Sequence, residues 1–255
     1  MLFRSCRALA GDVGYLPTAS FCGALRAEFL NALAELCGNR FGRGLLVPGG
    51  VRFDLAADAA ERLADRLEEA WGRVQGAADL FFQSPSARNR TDGTGVLRRE
   101  QALSLGIVGP AARASGVARD VRRDHPSGMF QFRHIPVITG ESGDVFARGW
   151  VRLLEAERSV EFILRELRHL PRGAVRVPCP APAGERLVVA MVEGWRGEIA
   201  HVATTGPDGR FARYKVKDPS FHNWMGLAMA LRDEQISDFP LCNKSFNLSY
   251  AGHDL

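Results

Sequence analysis

No run of eighteen or more apolar residues occurs in this 255-residue chain, so no segment reads as a membrane-spanning helix. The opening stretch Met1-Leu2-Phe3-Arg4-Ser5-Cys6-Arg7 is too short and too basic for the apolar region of a signal peptide. Cysteine is sparse and unpaired. Cys6, Cys22, Cys37, Cys179 and Cys242 never approach at two- to four-residue spacing, which excludes the close thiolate pairs of zinc and iron–sulfur sites. The odd, scattered set fits reduced thiols. Lysine is nearly missing: Lys215, Lys217 and Lys244 are three of the 33 basic residues, and the rest are arginine.

Motifs of nucleotide and hydrolase chemistry are lacking too. Gly49-Gly50 does not belong to a Gly-x-Gly-x-x-Gly that opens a helix, and Ser249 does not sit in Gly-x-Ser-x-Gly. His125, His134, His169, His201, His222 and His253 are scattered, without the His-x-x-x-His spacing of a metal site. Only Phe130 and Phe132 lie near the basic cluster of residues 113–133, too few stacking aromatics for nucleic-acid binding. Internal repeats and low-complexity segments are absent.

What remains is ordinary globular composition, with 46% hydrophobic and 24% charged residues and a formal net charge of +4. Residues 21–37 read as a helix, with Leu25, Phe29, Ala32, Leu33 and Leu36 on one face between Pro17 and Gly38. A second helix spans about 55–76, capped by Asp54 and lined by Leu63, Leu67, Trp71 and Val74. Gln83–Gly95 is polar and turn-rich, and residues 99–106 form a short helical segment ending in Gly106. Gly109–Gly143, rich in Gly, Pro and Arg, is an ordered loop with short elements. The strongest helix runs over 144–170, with Phe146, Trp150, Leu154, Val160, Leu164 and Leu167 on one side. After the Pro-rich connector Pro171–Gly184, three β-like runs at 187–193, 198–205 and 211–217 surround the turn Gly206-Pro207-Asp208-Gly209. Helix returns at about 222–233, where His222 is a packing or helix-start residue. The expected fold class is α+β: a helical bundle with a small antiparallel β-sheet near the C-terminus. Residues 1–170 form the mainly helical core, and residues 171–255 form the sheet, last helix and tail of the same domain.

The tail Ile236–Leu255, with Arg213–Trp224 upstream, resembles the C-terminus of the superfamily of nickel–iron hydrogenase large subunits and the D-type subunit of respiratory complex I. Other segments resemble that family in order. They are Asn39-Arg40-Phe41 through Pro48-Gly49-Gly50-Val51, Arg113-Ala114-Ser115-Gly116 through Asp120-Val121-Arg122, and Gly143-Asp144 through Arg148 with Val151, Arg152 and Glu155. Pro182–Glu185, Arg196-Gly197-Glu198 and Pro219-Ser220-Phe221 complete the set. In hydrogenases the tail supplies an Asp-Pro-Cys-x-x-Cys pair. The matching segment here is Asn247-Leu248-Ser249-Tyr250-Ala251-Gly252, with Ser and Gly at the thiolate positions. The family's N-terminal section, which carries the other cysteine pair in hydrogenases and the quinone-contacting His and Tyr in complex I, precedes the segment matching Gly11-Asp12-Val13-Gly14. The chain is therefore expected to be a fragment or split product of such a subunit.

The resemblance implies a large-subunit component of a complex I-like or membrane-bound hydrogenase-like oxidoreductase. Such a chain would wall a quinone or other electron-acceptor site beside a partner's iron–sulfur cluster. It implies that this chain binds no cofactor or metal itself, that quinone is the substrate, and that any NADH chemistry belongs to the parent complex. The implied partners are a small iron–sulfur subunit, a protein like the C-type subunit of complex I, and membrane subunits, not nucleic acid. The implied location is the cytoplasmic face of the membrane, held through the complex. Asp12 matches an acidic residue beside the quinone-binding His and would tune it; its plainer reading is a helix-cap or ion-paired aspartate. Arg113, Arg119, Arg122, Arg123 and Arg133 read either as a docking surface for the iron–sulfur partner or acidic lipid, or as a network paired with Asp120, Asp124 and Glu141. The rival to the redox role is a non-catalytic scaffold whose redox site has decayed.

Overall fold

A computed structural model describes residues 2–253; the side chains of residues 2–6, Cys6 included, and of His253 lie outside the described set. Helix α1 (Leu2–Asp12) turns through Gly14 and packs along α2 (Leu16–Cys37). Helix α2 starts a turn earlier than the apolar spacing predicts, because Pro17 sits in its first turn, where a missing N–H leaves no bond unmade. It stops at Gly38, whose φ of 71° gives the left-handed cap.

After the two-residue strands β1 (Leu46–Val47) and β2 (Gly50–Val51), helix α3 (Ala57–Phe82) packs against α2 and α8 (Val145–Arg168). Leu63, Leu67, Trp71 and Val74 are buried as the spacing predicts, and the face continues through Ala77, Ala78, Phe81 and Phe82. That continuation carries α3 beyond its predicted end at residue 76, since each buried Phe contributes about 1.5–3 kcal/mol. Phe82 anchors the crossing to α8 by meeting Phe146 edge-on at 5.5 Å and Trp150 at 5.2 Å. Asp54 does not cap α3: its carboxylate accepts from the Leu55 amide at 2.8 Å, and Ala56 occupies the cap position.

The stretch 83–95 contains the short helix α4 (Pro85–Thr91), started by its proline. Helices α5 (Arg99–Ser104), α6 (Gly109–Ala114) and α7 (Val121–Asp124) and a 3₁₀ turn at Gly128–Gln131 punctuate the long connection to α8. Helix α8 starts where Asp144 accepts from the Ala147 amide at 2.7 Å. Of the predicted stripe, Val160 is buried, but the deepest residues lie on another face. Val145, Arg148, Val151, Arg152 and Leu153 are buried, whereas Trp150 is 37% exposed.

The second half holds the expected sheet. Strands β3 (Leu187–Gly194), β4 (Gly197–Thr205) and β5 (Phe211–Lys217) pair antiparallel in that order. Gly194 opposes Gly197 and Ala200 opposes Lys217. The chain closes with α9 (Ser220–Ala230), a 3₁₀ turn at Ile236–Asp238, α10 (Phe239–Phe246) and α11 (Tyr250–His253). The Gly49-Gly50 pair turns β1 into β2 with φ of 90° and 151°, and a side chain at either would run into the carbonyl of Val177 or Val175. Among the described residues, no helix is long and apolar enough to cross a membrane.

Candidate functional site

The tail is held from below by two arginines of α8. Arg148 and Arg152 are four residues apart, so both point from one face, and neither is more than 1% exposed. Arg152 donates to the carbonyls of Ser245 and Phe246, the second at 3.0 Å. Arg148 donates to the Ser245 hydroxyl at 2.8 Å and to the carbonyls of Gly95 and Gly143 at 3.0 and 2.6 Å. Carbonyls that end a helix carry the negative end of its dipole and take the place of a carboxylate. Burial pushes both guanidinium groups below their usual range. The sequence signal was available in Val145, Arg148 and Arg152, which share one helical face, but an arginine on an apolar stripe reads first as solvated.

The segment matching the hydrogenase thiolate pair sits on this support. The Ser249 amide donates to the Ser220 hydroxyl at 2.9 Å, and the Ser249 hydroxyl accepts from the Gly252 amide at 3.0 Å. Both serines are thus used in shaping the turn. A side chain at Gly252 would point into the Asp218 carboxylate, with oxygens 2.8 and 2.9 Å from the first added carbon. Asp218 is itself fixed, because it accepts from the Ser220 amide at 2.8 Å. A nickel–iron centre needs soft thiolate donors, and this segment offers hydroxyl, carboxylate and glycine instead, so the residues do not fit that group. Among the described residues, no group of three or more His, Cys, Asp or Glu has metal-binding geometry.

Asp12 ends α1, which packs against α10. Partial burial raises its carboxyl above the usual range, and the Lys244 ammonium of α10 offsets part of that rise. Around the tail the surface carries apolar side chains, with Phe221 53%, Met225 58% and Tyr250 69% exposed and Trp224 5.3 Å from Tyr250.

The arginines of the long connection form an internal network. Arg113, 1% exposed, donates to Glu155 of α8 at 2.5 Å and to Glu193 of β3 at 2.9 Å, with Asp120 3.6 Å away. Arg122 grips Asp120 at 2.6 Å, Arg123 pairs with Asp124 at 2.7 Å, and Arg133 reaches Glu166 at 3.1 Å. The Arg119 carbonyl accepts from Arg113. Asp120 and Asp124 play the predicted part, but Glu141 is exposed and makes no ion pair with these arginines; Glu155 and Glu193 do so instead. Three carboxylates hold Arg113 charged, raising it above its usual value despite burial. The enclosed carboxyl of Glu193 is pushed up by burial, while Asp120 is held below the usual carboxylate range by Arg122 and Arg113 against a desolvation cost. This knot ties the sheet to the helices. His222 is half-buried and shifted down by burial and Lys217, in keeping with a packing role.

Comparison with known proteins places this geometry. The family model for the respiratory-chain NADH dehydrogenase 49 kDa subunit matches residues 12–185. The carbon monoxide-induced hydrogenase of Rhodospirillum rubrum is 35% identical over 214 residues, covering 82% of this chain and 58% of that protein. NADH-quinone oxidoreductase subunit 4 of Thermus thermophilus is 31% identical over 256 residues, covering 89% and 62%. Formate hydrogenlyase subunit 5 of Escherichia coli is 32% identical over 219 residues, covering 86% and 38%. The chain thus spans about three fifths or less of the length of these relatives. A chain of the membrane-bound sulfane sulfur reductase, an archaeal respiratory membrane complex, shares the fold with a TM-score of 0.90 at 24% identity, covering 100% of this chain and 71% of that one.

Proposed function

Since the chain belongs to the family of the respiratory-chain NADH dehydrogenase 49 kDa subunit, we propose that it is the large-subunit component of a complex I-like oxidoreductase that passes electrons to a quinone rather than to protons at a nickel–iron centre. The observation that carries this reading is the tail: the fold of a redox large subunit with Ser249 and Gly252 at the thiolate positions and the Asp218 carboxylate against Gly252. Electrons would reach the acceptor from an iron–sulfur cluster of a small partner subunit. The apolar surface of Phe221, Met225 and Tyr250 supports docking of such a partner. In this reading, Asp12 is a positioning residue: its carboxylate favours the protonated form of a His beside the quinone headgroup.

The test is Asp12→Asn in the assembled complex. The expected result is intact assembly with quinone reduction lowered about tenfold, corresponding to about one pKa unit of lost interaction. The limb of the pH–rate profile that reports the His should move to lower pH. Wild-type turnover across that pH range would overturn the quinone role of Asp12 and favour the scaffold, which Lys244 as the neighbouring cation of Asp12 also accommodates.

A further inference from the structure

Between α3 and α8, away from the tail, Asp12 and the arginine network, lies a cavity of about 300 Å³. Trp71, Gln75 and Asp79 wall it from α3, and Trp150 and Glu157 from α8, over a floor of two leucines. Trp71 is 8% exposed. Trp150 is 37% exposed and braced by Phe146, on which it stacks at 6.1 Å with an interplanar angle of 11°, and by Phe82, which meets it edge-on. Glu157 is also fixed: one oxygen accepts from the Gln75 amide at 3.0 Å, leaving the other for a ligand. Asp79 is exposed, so its carboxylate is accessible at the rim of the cavity. No arginine or lysine lines the cavity, although the chain has 33 of them.

Indole faces are negative and attract a cation lying over them. Two carboxylates in the same walls add charge and hydrogen-bond acceptors. A quaternary ammonium would use only the first feature. A guanidinium uses both, because it is flat enough to stack on an indole and carries N–H groups for carboxylate oxygens. We propose that this cavity receives the guanidinium of an arginine side chain from a partner polypeptide, with Trp71 and Trp150 as the stacking walls and Asp79 and Glu157 as the acceptors. The charge complementarity is independent of the quinone reading.

The test uses the full chain and the indole N–H signals of its four tryptophans in NMR, titrated with a blocked arginine (N-acetyl-arginine methylamide). The expected result is saturable movement of the Trp71 and Trp150 signals with a dissociation constant on the order of millimolar, while Trp195 and Trp224 stay still. The neutral citrulline analogue should move nothing. The double variant Asp79→Asn/Glu157→Gln, made at exposed and half-exposed positions, should weaken binding at least about tenfold with unchanged melting temperature. Three results would overturn the proposal: equal shifts with citrulline, equal binding by the double variant, or no shift up to about 100 mM arginine probe, far above the expected constant. Tighter binding of tetramethylammonium than of the arginine probe would also reject it, pointing to a site for free quaternary amines.

Discussion

Arg113 and Arg152 are equally buried, yet one is surrounded by carboxylates and the other by carbonyls. The difference sets what each removal does. Arg113→Met leaves Asp120, Glu155 and Glu193 around an empty centre, and stability should fall by about 3–5 kcal/mol. Arg152→Met strands the Ser245 and Phe246 carbonyls but also removes a charge that has no carboxylate partner, so the loss should be smaller, about 1–3 kcal/mol. Denaturant melts of the two variants give this order; a costlier Arg152→Met would contradict it. Acid acts on the same knot through Asp120. Its carboxyl is held below its unfolded value, so its contribution is present above that value and disappears as pH falls through the lower folded one. Asp120→Asn should therefore flatten the acid side of the stability profile, read as the midpoint of unfolding against pH. In the sequence Arg113, Asp120 and Arg122 are visible as a group because they are close along the chain. Glu155 and Glu193 are 42 and 80 residues away from Arg113, and only the folded topology delivers them.

At the scale of elements, local rules succeeded where side chains act locally. Gly38, Gly106 and Asp144 end or start helices as their types predict, and alternation with the Gly206–Gly209 turn places all three strands of the sheet. The errors arose where tertiary packing decides. Helix α3 runs on to Phe82 because α8 offers Phe146 and Trp150 to its end. In α8, two arginines take the deepest positions because a helix end waits above them. The sheet also shows what alternation cannot predict. Along β3, Leu187, Val188 and Val189 are 67%, 57% and 59% exposed, on both faces of an edge strand without a charge until Glu193. The opposite edge, β5, carries Arg213, Lys215 and Lys217, the kind of residue that discourages strand pairing. Val189→Lys should therefore reduce self-association of the purified chain in sedimentation velocity while changing stability by no more than about 0.5 kcal/mol. Unchanged association would place the sticky surface elsewhere, with Phe221, Met225 and Tyr250 as the next candidates.

For the whole molecule, family and fold are both legible in the order of short segments along the chain, and the match over residues 12–185 agrees with that reading. The site is less so. The sequence names Ser249 and Gly252 as departures from a thiolate pair, but not the carboxylate that sits against one of them, since Asp218 is distant in sequence and adjacent only through the fold of α9 onto α11. The chain purified from cells supplied with both metals and maturation factors should carry no stoichiometric nickel or iron by elemental analysis; one nickel per chain would refute this.

The contact between Gly252 and Asp218 also limits which single substitutions this turn can accept. Placing cysteine at 252 alone drives its first side-chain carbon against a carboxylate that cannot swing away without releasing the Ser220 amide at the start of α9. A cysteine at 252 is therefore expected to cost stability unless residue 218 changes with it. Substitutions elsewhere around the glycine-containing site are open one at a time, while a thiolate at 252 calls for two changes together.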